Sequence, residues 1–241
     1  MDSPRLVVLV HGAWHGAWCF SALQAELDRR GIPSLAVDLP GHGASAQPLG
    51  DFYGDARGVV AVLAALRERG NDHVVLVGHS YGGAVITEVA SIDLAIGHLV
   101  YLAAFVPPVG QSVMSQLMGL PRHDTTLGAA MIALDEANTV VDPTRAKQAF
   151  YGNCADSIVA ASVVRLSPQP TVTMTQAVTG SPLGTIASTY VLCRQDQAVH
   201  PEHQKAIAEL CDSVVILDTD HSPFASMVVE TADILERIAR T

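Results

Sequence analysis

The sequence predicts an α/β protein built on a mostly parallel sheet of about six strands, with helices on both faces. Three observations support this prediction. Short β-branched runs alternate with helical patterns along most of the chain. The runs are apolar throughout, which is typical of parallel strands that are buried on both faces. The chain has 241 residues, enough for one large domain with a substantial core.

The predicted elements follow one another as pairs of strand and helix. The strands are expected at residues 6–10, 34–37, 74–77, 98–102, 189–193 and 214–217. Helical periodicity predicts helices at residues 20–30, 51–69, 82–91, 201–210 and 223–240. Because helices connect these strands, we expect the strands to pair in parallel and their carboxyl ends to meet at one sheet edge.

Residues 107–182, called the insertion below, interrupt this alternation and begin with Pro107-Pro108. Within it we predict helices at residues 113–118, 144–151 and 156–166, and a short strand at residues 169–178. Long connections inside compact domains usually carry function. We therefore expect a mainly helical cap over an active site, with a packing excursion as the alternative. The predicted domains are a core, residues 1–106 and 183–241, and a cap, residues 107–182.

Composition limits the classes of partner. The formal charge of −10 disfavours binding to nucleic acids or anionic membranes. No apolar run approaches the length of a membrane span. The N-terminus has no basic region, apolar core and cleavage site of a signal peptide, so a cytoplasmic protein is expected. The four cysteines have no metal-binding spacing such as C-x-x-C and are expected to be reduced.

The pentapeptide Gly78-His79-Ser80-Tyr81-Gly82 follows the third predicted strand and has the G-x-S-x-G pattern. A serine on a sharp strand-to-helix turn is held clear of the sheet, with its hydroxyl exposed at the carboxyl edge. The two glycines lack a Cβ, so the following helix can approach the turn closely. A plain tight turn is the alternative, but the strand before it and the helix after it favour Ser80 as a nucleophile.

A serine nucleophile needs a base to accept its proton and a carboxylate to orient that base. His221 follows the last predicted strand and Asp196 follows the strand before it, so both are expected at the same edge as Ser80. The chain order Ser80, Asp196, His221 is the order that this architecture requires. Asp196 could instead cap the following helix. We interpret Asp218 and Asp220 as acids that shape the loop before His221.

A serine mechanism also needs two backbone donors for the oxyanion. One is expected from Tyr81 N–H at the start of a helix, where the helix dipole favours negative charge. The other is expected from Ala13 N–H in the loop after the first strand. Substrate contacts are predicted for Gly12, Trp14, Phe105 and Ser222. Core packing is the alternative for Trp14.

Four segments together resemble the α/β-hydrolase superfamily, and within it the plant methylesterase and hydroxynitrile lyase branch with its bacterial esterase relatives. The segments are His-Gly-Ala-Trp-His-Gly-Ala-Trp at 11–18, Gly-His-Ser-Tyr-Gly-Gly at 78–83, Leu-Ala-Ala-Phe-Val-Pro at 102–107 and Cys-Arg-Gln-Asp at 193–196. The resemblance implies the α/β-hydrolase fold, a helical cap with a small strand element, and often a homodimer. It also implies a Ser-Asp-His carboxylesterase mechanism without metal or cofactor.

Two positions separate the chemistries of this branch. Its cyanohydrin-cleaving members carry a threonine directly after the first-strand histidine and a lysine directly after the catalytic histidine. Here these positions are Gly12 and Ser222. A neutral serine cannot stabilise a cyanide leaving group as a lysine does, so the esterase chemistry is favoured. The plant methylesterases usually have methionine where Ser222 stands, so their particular substrates do not transfer to this chain.

The sequence therefore predicts a serine hydrolase that cleaves a carboxylic ester of a small to medium apolar substrate through an acyl-enzyme, as a monomer or a homodimer. A thioesterase, a lactonase or a C–C hydrolase could use the same triad, and a non-enzymatic small-molecule receptor could use the same fold. Six apolar residues of the insertion either line a pocket or form its core: Met114, Leu117, Met118, Met131, Phe150 and Tyr151.

Overall fold

The structure is a computed structural model that describes residues 3–93 and 95–241; the expectation drawn from the N-terminus falls partly on Met1 and Asp2, outside the described residues. The strands in the described ranges are β1 (Val7–Val10), β2 (Ser34–Val37), β3 (Val74–His79), β4 (Ile96–Leu102), β5 (Met131–Ala133), β6 (Asn138–Val141), β7 (Gln169–Pro170), β8 (Ser188–Cys193) and β9 (Ser213–Leu217). The helices are α1 (Ser21–Arg29), α2 (Phe52–Arg67), α3 (Tyr81–Ile92), α4 (Val113–Met118), α5 (Thr126–Ala130), α6 (Ala146–Phe150), α7 (Asp156–Val163), α8 (Val172–Thr175), α9 (Pro201–Ala208), α10 (Pro223–Ser226) and α11 (Val228–Ala239), with a 3₁₀ helix at Ala17–Phe20. None of these helices is both long enough and apolar enough to cross a membrane.

Six strands form one sheet in the order β2-β1-β3-β4-β8-β9, and every neighbouring pair is parallel. This confirms the predicted α/β class and the predicted strand number. The chain runs outward from β1 to β2 and then returns to the other side of β1 to form β3. The carboxyl ends of β1 and β3 therefore flank the switch point of the sheet, where ligands bind in open α/β folds.

The two faces of the sheet are packed against different helices. Val8 and Leu76 belong to an apolar cluster that α2 and α3 cover, whereas Val7 and Val75 belong to a second cluster that α1 and α11 cover. Since neighbouring residues of a strand point to opposite faces, both sets must be apolar. This packing explains why the strands are continuous apolar runs rather than alternating ones.

The C-terminal helix differs from the prediction, because the expected helix at 223–240 is broken into α10 and α11. Met227, between them, has φ −134° and ψ 58°, which is not helical. Side-chain bonds compete with the helix at this point. Ser226 Oγ donates to Asp220 Oδ1 at 2.8 Å, and Thr231 Oγ1 donates to Met227 O at 2.7 Å. The short helix α10 is thereby tied to the loop that carries His221.

The insertion contains a three-stranded antiparallel sheet, β5-β6-β7, besides its helices. The helix predicted at 113–118 is confirmed as α4. The strand predicted at 169–178 is wrong beyond its first two residues, because Val172–Thr175 forms α8. Pro170 has no N–H to continue the ladder, and Thr173 Oγ1 donates to Pro170 O at 2.6 Å, which closes a turn.

Candidate active site

Ser80 occupies the turn between β3 and α3 with φ 53° and ψ −121°. A positive φ is uncommon outside glycine and costs on the order of 1–3 kcal/mol. The turn is tightly packed, since a Cβ at Gly78 would lie 2.4 Å from Gly82 O. A Cβ at Gly82 would lie 2.6 Å from His11 O, on the loop after β1. The two glycines thus allow the helix and the β1 loop to approach the serine.

Asp196 and His221 lie together at the same edge of the sheet, on the loops after β8 and β9. His221 Nδ1 is 2.7 Å from Asp196 Oδ2, and both side chains are buried. The two loops continue the pairing of their strands for a short distance, because Gln195 N donates to Thr219 O at 2.9 Å. The structure therefore brings Asp196 and His221 together, on the two loops where the order of the strands predicts them.

Three further hydrogen bonds hold the Asp196 carboxylate. Its Oδ1 accepts from the N–H groups of Ala198 and Val199, at 2.7 and 2.9 Å. Its Oδ2 accepts from Gln204 Nε2 at 2.8 Å. The residue that caps α9 is His200, not Asp196, so the helix-cap alternative for Asp196 is wrong. Sequence reasoning missed Gln204, whose signal is a polar residue at helical spacing from the buried apolar residues Ile207 and Ala208 of α9.

Asp220 shapes the loop around His221. Its Oδ1 accepts from Ser222 N–H at 3.0 Å, and its Oδ2 accepts from Asn153 N–H of the insertion at 2.7 Å. Asp218, by contrast, is exposed to solvent. Both positions agree with their interpretation as residues of the loop rather than as partners of the imidazole.

His79 supports the backbone of His221. Its Nε2 donates to His221 O at 2.8 Å, and the two rings lie 4.5 Å apart. Burial lowers the pKa of His79 well below its usual value, and the neighbouring His221 lowers that pKa further. His79 is therefore neutral near pH 7 and accepts a proton less readily than an ordinary imidazole does.

The next contact of the proposed site is the one between the Ser80 hydroxyl and the His221 imidazole. Among the residues the structure describes, Ser80 Oγ makes no hydrogen bond with His221. Hydrogen bonds of this kind are often long in a site without substrate and tighten in the complex. Within the same residues, no group of three or more His, Cys, Asp or Glu is arranged to hold a metal ion.

The two predicted oxyanion donors lie on either side of the serine. Tyr81 is the first residue of α3, so its N–H has no acceptor within the helix. Ala13 follows Gly12, where a Cβ would lie only 2.9 Å from Ser80 Cβ, so the β1 loop passes directly beside the serine. Ala13, Ser80 and Tyr81 line the same cavity. The arrangement can present two N–H groups to one oxygen atom.

A cavity of about 250 Å³ extends from Ser80 between the core and the insertion. Its core wall includes Trp14 and Phe105, both predicted substrate contacts. The opposite wall is mostly apolar, with several threonines: Val113, Met114, Leu117, Thr125, Leu127, Gly128, Met131, Thr139, Thr171, Met174 and Thr175. No Asp, Glu, Lys, Arg or His is among the described residues that line it. Larger grooves, about 420 and 470 Å³, lie elsewhere and contain neither Ser80 nor His221.

Some predicted pocket residues do not line this cavity. Gly12 and Ser222 are absent from its described lining, and Ser222 is fully buried with no hydrogen-bond partner for its Oγ in the described ranges. A side chain at residue 12 would meet Ser80 and His79 rather than substrate. Phe150 and Tyr151 are core residues, and Met118 is 77% exposed. Met114, Leu117 and Met131 do line the cavity.

Comparison with known proteins agrees with this geometry. Residues 7–234 match the model of the alpha/beta hydrolase family. The carbendazim hydrolyzing esterase of Nocardioides sp. (strain SG-4G) is 45% identical over 111 residues, which is 46% of each chain. Methylesterase 7 of Arabidopsis thaliana is 28% identical over 99% of this chain and 97% of its own length.

Solved structures resemble the chain over nearly its whole length. A pyrethroid hydrolase from Sphingobium faniae JZ-2 has a TM-score of 0.84 at 24% identity and covers 98% of both chains, which shows a shared fold. A methylesterase from Arabidopsis has a TM-score of 0.80 at 26% identity, over 97% of this chain and 98% of its own.

Proposed function

We propose that this chain, which belongs to the alpha/beta hydrolase family, hydrolyses carboxylic esters with Ser80 as the nucleophile. The observation that carries the proposal is the buried hydrogen bond of 2.7 Å between Asp196 and His221, at the sheet edge where Ser80 stands on a strained turn. The names of its relatives support the reaction class, since two of them are esterases and one structural neighbour is a pyrethroid hydrolase.

The first half of the reaction forms an acyl-enzyme. A serine hydroxyl is a weak nucleophile at neutral pH, so His221 Nε2 accepts its proton as Ser80 attacks the ester carbonyl. Asp196 holds the proton of the imidazole on Nδ1, which leaves Nε2 free to act as the base. The carbonyl oxygen becomes negatively charged and accepts hydrogen bonds from Ala13 N–H and Tyr81 N–H.

The second half releases the acid. His221 first returns the proton to the leaving alcohol, and the tetrahedral intermediate collapses to the ester of Ser80. Water then enters, gives its proton to His221 and attacks the acyl carbonyl, so that the carboxylic acid leaves and Ser80 regains its proton. None of these steps needs a metal or a cofactor.

The cavity determines the class of ester. No described lining residue of its 250 Å³ carries an ionised side chain at neutral pH, and methionine and leucine side chains cover much of its wall. Transfer of a charged group into such a site without a partner is costly. The substrate group that enters is therefore uncharged and apolar, and the flexible methionines adapt to its shape.

The proposal also includes the division of the chain into two domains, its location in the cell and its oligomeric state. Residues 107–182 act as the cap over a core of residues 1–106 and 183–241, which the lining of the cavity from both parts supports. A cytoplasmic location and a monomeric or homodimeric state stay predictions from the sequence. Light scattering after size-exclusion chromatography tests the oligomeric state.

Burst kinetics test the proposed reaction. With a p-nitrophenyl ester of a short apolar acid, we expect a fast release of p-nitrophenol, equal to one per active site, followed by slower steady turnover. p-Nitrophenyl esters with a charged acyl group, such as a hemisuccinate or an amino-acid ester with a free ammonium group, should be turned over poorly. A protein that binds the ester without releasing p-nitrophenol would instead be a receptor, and the proposal would be wrong.

A further inference from the structure

The insertion holds Trp14 of the β1 loop by both its backbone and its side chain. Ser167 N donates to Trp14 O at 2.9 Å, and Trp14 Nε1 donates to Thr139 O at 3.2 Å. Trp14 N–H donates to Oε1 of Gln169 at 3.2 Å. Trp14 has φ 62°, an uncommon conformation for a residue with a side chain, so it needs such support to persist.

The amide of Gln169 has a fixed orientation. The residue is 1% exposed, and both ends of its amide are used. While Oε1 accepts from Trp14, Nε2 donates to Thr173 Oγ1 at 2.9 Å, and Thr173 Oγ1 in turn donates to Pro170 O at 2.6 Å. A buried amide with partners on both sides can neither rotate nor flip without leaving a polar group unpaired.

Both peptide units that flank Ala13 are fixed by side chains. The Gly12 carbonyl, in the same peptide unit as Ala13 N–H, accepts from His11 Nδ1 at 2.8 Å. The Ala13 carbonyl accepts from His15 Nδ1 at 2.8 Å, and the N–H of that second unit is the one that Gln169 holds. Since peptide units are planar, fixing the two units fixes the dihedral angles of Ala13 and the direction of its N–H.

We propose that Gln169 is a positioning residue for the oxyanion hole, acting through Trp14 on the direction of the Ala13 N–H. This inference rests on the proposed function, because an oxyanion forms only if Ser80 attacks a carbonyl. It assigns the insertion a part in the chemical step besides substrate binding. The two histidines hold the loop from the core, and Gln169 holds it from the insertion.

The chain offers a matched pair of substitutions. Gln169→Met removes the acceptor of Trp14 N–H at similar side-chain volume. Gln176→Met removes an equivalent contact elsewhere, because Gln176 of the insertion accepts Phe52 N–H of the core at 2.8 Å, away from the β1 loop. Any effect of loosening the insertion should appear in both variants, whereas an effect on the oxyanion hole should appear only in Gln169→Met.

The test compares kcat, KM and the affinity for an apolar trifluoromethyl ketone, which forms a tetrahedral adduct with the serine. Loss of a whole oxyanion donor costs about 100- to 1,000-fold in kcat. In Gln169→Met the Ala13 N–H is still present but points in a different direction. We therefore expect kcat to fall by about 10- to 100-fold, the affinity for the ketone to fall by a similar factor, and KM to stay within about twofold. Gln176→Met should keep all three values within about twofold of wild type.

Two further variants keep the test decisive. Gln169→Glu with its carboxyl protonated, the form that burial favours, keeps both an acceptor oxygen for Trp14 N–H and an O–H donor for Thr173 Oγ1. On the acid side of the pH profile its kcat should therefore stay within about threefold of wild type. If Gln169→Met does not fold, Gln169→Asn, which is too short to reach Trp14, takes its place with the same expected loss of kcat. Unchanged kcat in the folded variant, a loss seen only in KM, or an equal loss in Gln176→Met overturns the inference. Absence of Ser80-dependent turnover in the wild type overturns the proposed function instead.

Discussion

The two walls of the cavity are built in different ways. On the core side, the predicted reacting groups stand on buried turns whose backbone is fixed by strands β1, β3, β8 and β9. On the insertion side, the wall consists of short elements that carry partly exposed apolar residues; Met114 is 39% exposed and Met131 43% exposed. The core wall can hold atoms in one geometry, whereas the insertion wall can adapt. We infer that the core governs the chemical step and that the insertion governs substrate choice, with Gln169 as the link between them.

The largest expected effect is the loss of the nucleophile on the core side. Ser80→Ala should lower kcat by roughly a million-fold if serine, histidine and aspartate act as a unit. Folding should be preserved, because alanine keeps the Cβ of serine at this turn and removes only the hydroxyl. The measurement is steady-state ester hydrolysis, with circular dichroism as the control for folding. Near-normal turnover would remove the basis for assigning chemistry to the core.

The next effect concerns the orienting carboxylate. Asp196→Asn should lower kcat by about ten-thousand-fold, because an amide favours the wrong tautomer of His221. Asp220→Asn is the matched control, since this buried acid lies next to the histidine in sequence but bonds to Ser222 and Asn153 instead. Its effect should stay below about tenfold. If Asp220→Asn rather than Asp196→Asn caused the large loss of kcat, the assignment of Asp196 as the orienting acid would be wrong.

A smaller effect is expected on the insertion side, and it should be of a different kind. Met131→Ala enlarges the cavity at a half-exposed position. We expect kcat/KM for a short-chain ester to fall by up to about tenfold, mainly through KM, and the preference to shift towards a bulkier ester. A panel of p-nitrophenyl esters with acyl groups of increasing size measures both. A change in kcat alone, equal for all esters, would contradict the division of roles.

The smallest expected effect is on the thermal stability of the protein, and it involves Asp55, a buried acid of α2. Burial raises the pKa of Asp55 from 3.8 to about 7, although the Tyr81 hydroxyl donates to it at 2.6 Å. Since the folded-state pKa lies above the unfolded value, the folded protein holds this proton more tightly. The contribution of Asp55 to the free energy of unfolding is therefore complete below about pH 4 and is lost as the pH rises through 7.

Asp55→Asn keeps an acceptor for Tyr81 but cannot ionise. Relative to this variant, the wild type should lose roughly 5 °C in Tm between pH 5 and pH 8. Thermal unfolding at both pH values, followed by circular dichroism, measures the difference. An equal pH dependence in the two proteins would show that the carboxyl does not titrate in this range.

The core could be predicted from the sequence for a physical reason. Strands buried on both faces require continuous apolar runs, and the turn at Ser80 requires small residues at 78 and 82. In both cases a short stretch of sequence is enough to predict the local structure. The contact between Asp196 and His221 could be predicted too, because parallel strand ends meet at one edge and the two residues lie on the loops after β8 and β9.

The insertion was predicted less completely, because its contacts are distant in sequence. All three residues of β5 are exposed, so no buried period marks the strand. Gln169 is 155 residues from the Trp14 backbone that it holds, and no local pattern distinguishes it from a surface glutamine. The prediction of substrate contacts at Gly12 and Ser222 rests on the two positions that distinguish the cyanohydrin-cleaving members of the branch, whereas neither residue is in the described lining of the cavity.

The most direct test of the central claim is to map the site of a fluorophosphonate adduct by mass spectrometry. The reagent reacts only with a serine that a neighbouring base activates and an oxyanion hole serves. We predict one adduct per chain, on the peptide that contains Ser80, and its loss in Ser80→Ala and Asp196→Asn. An adduct on a different serine, or no adduct in a protein that hydrolyses esters, would contradict the account.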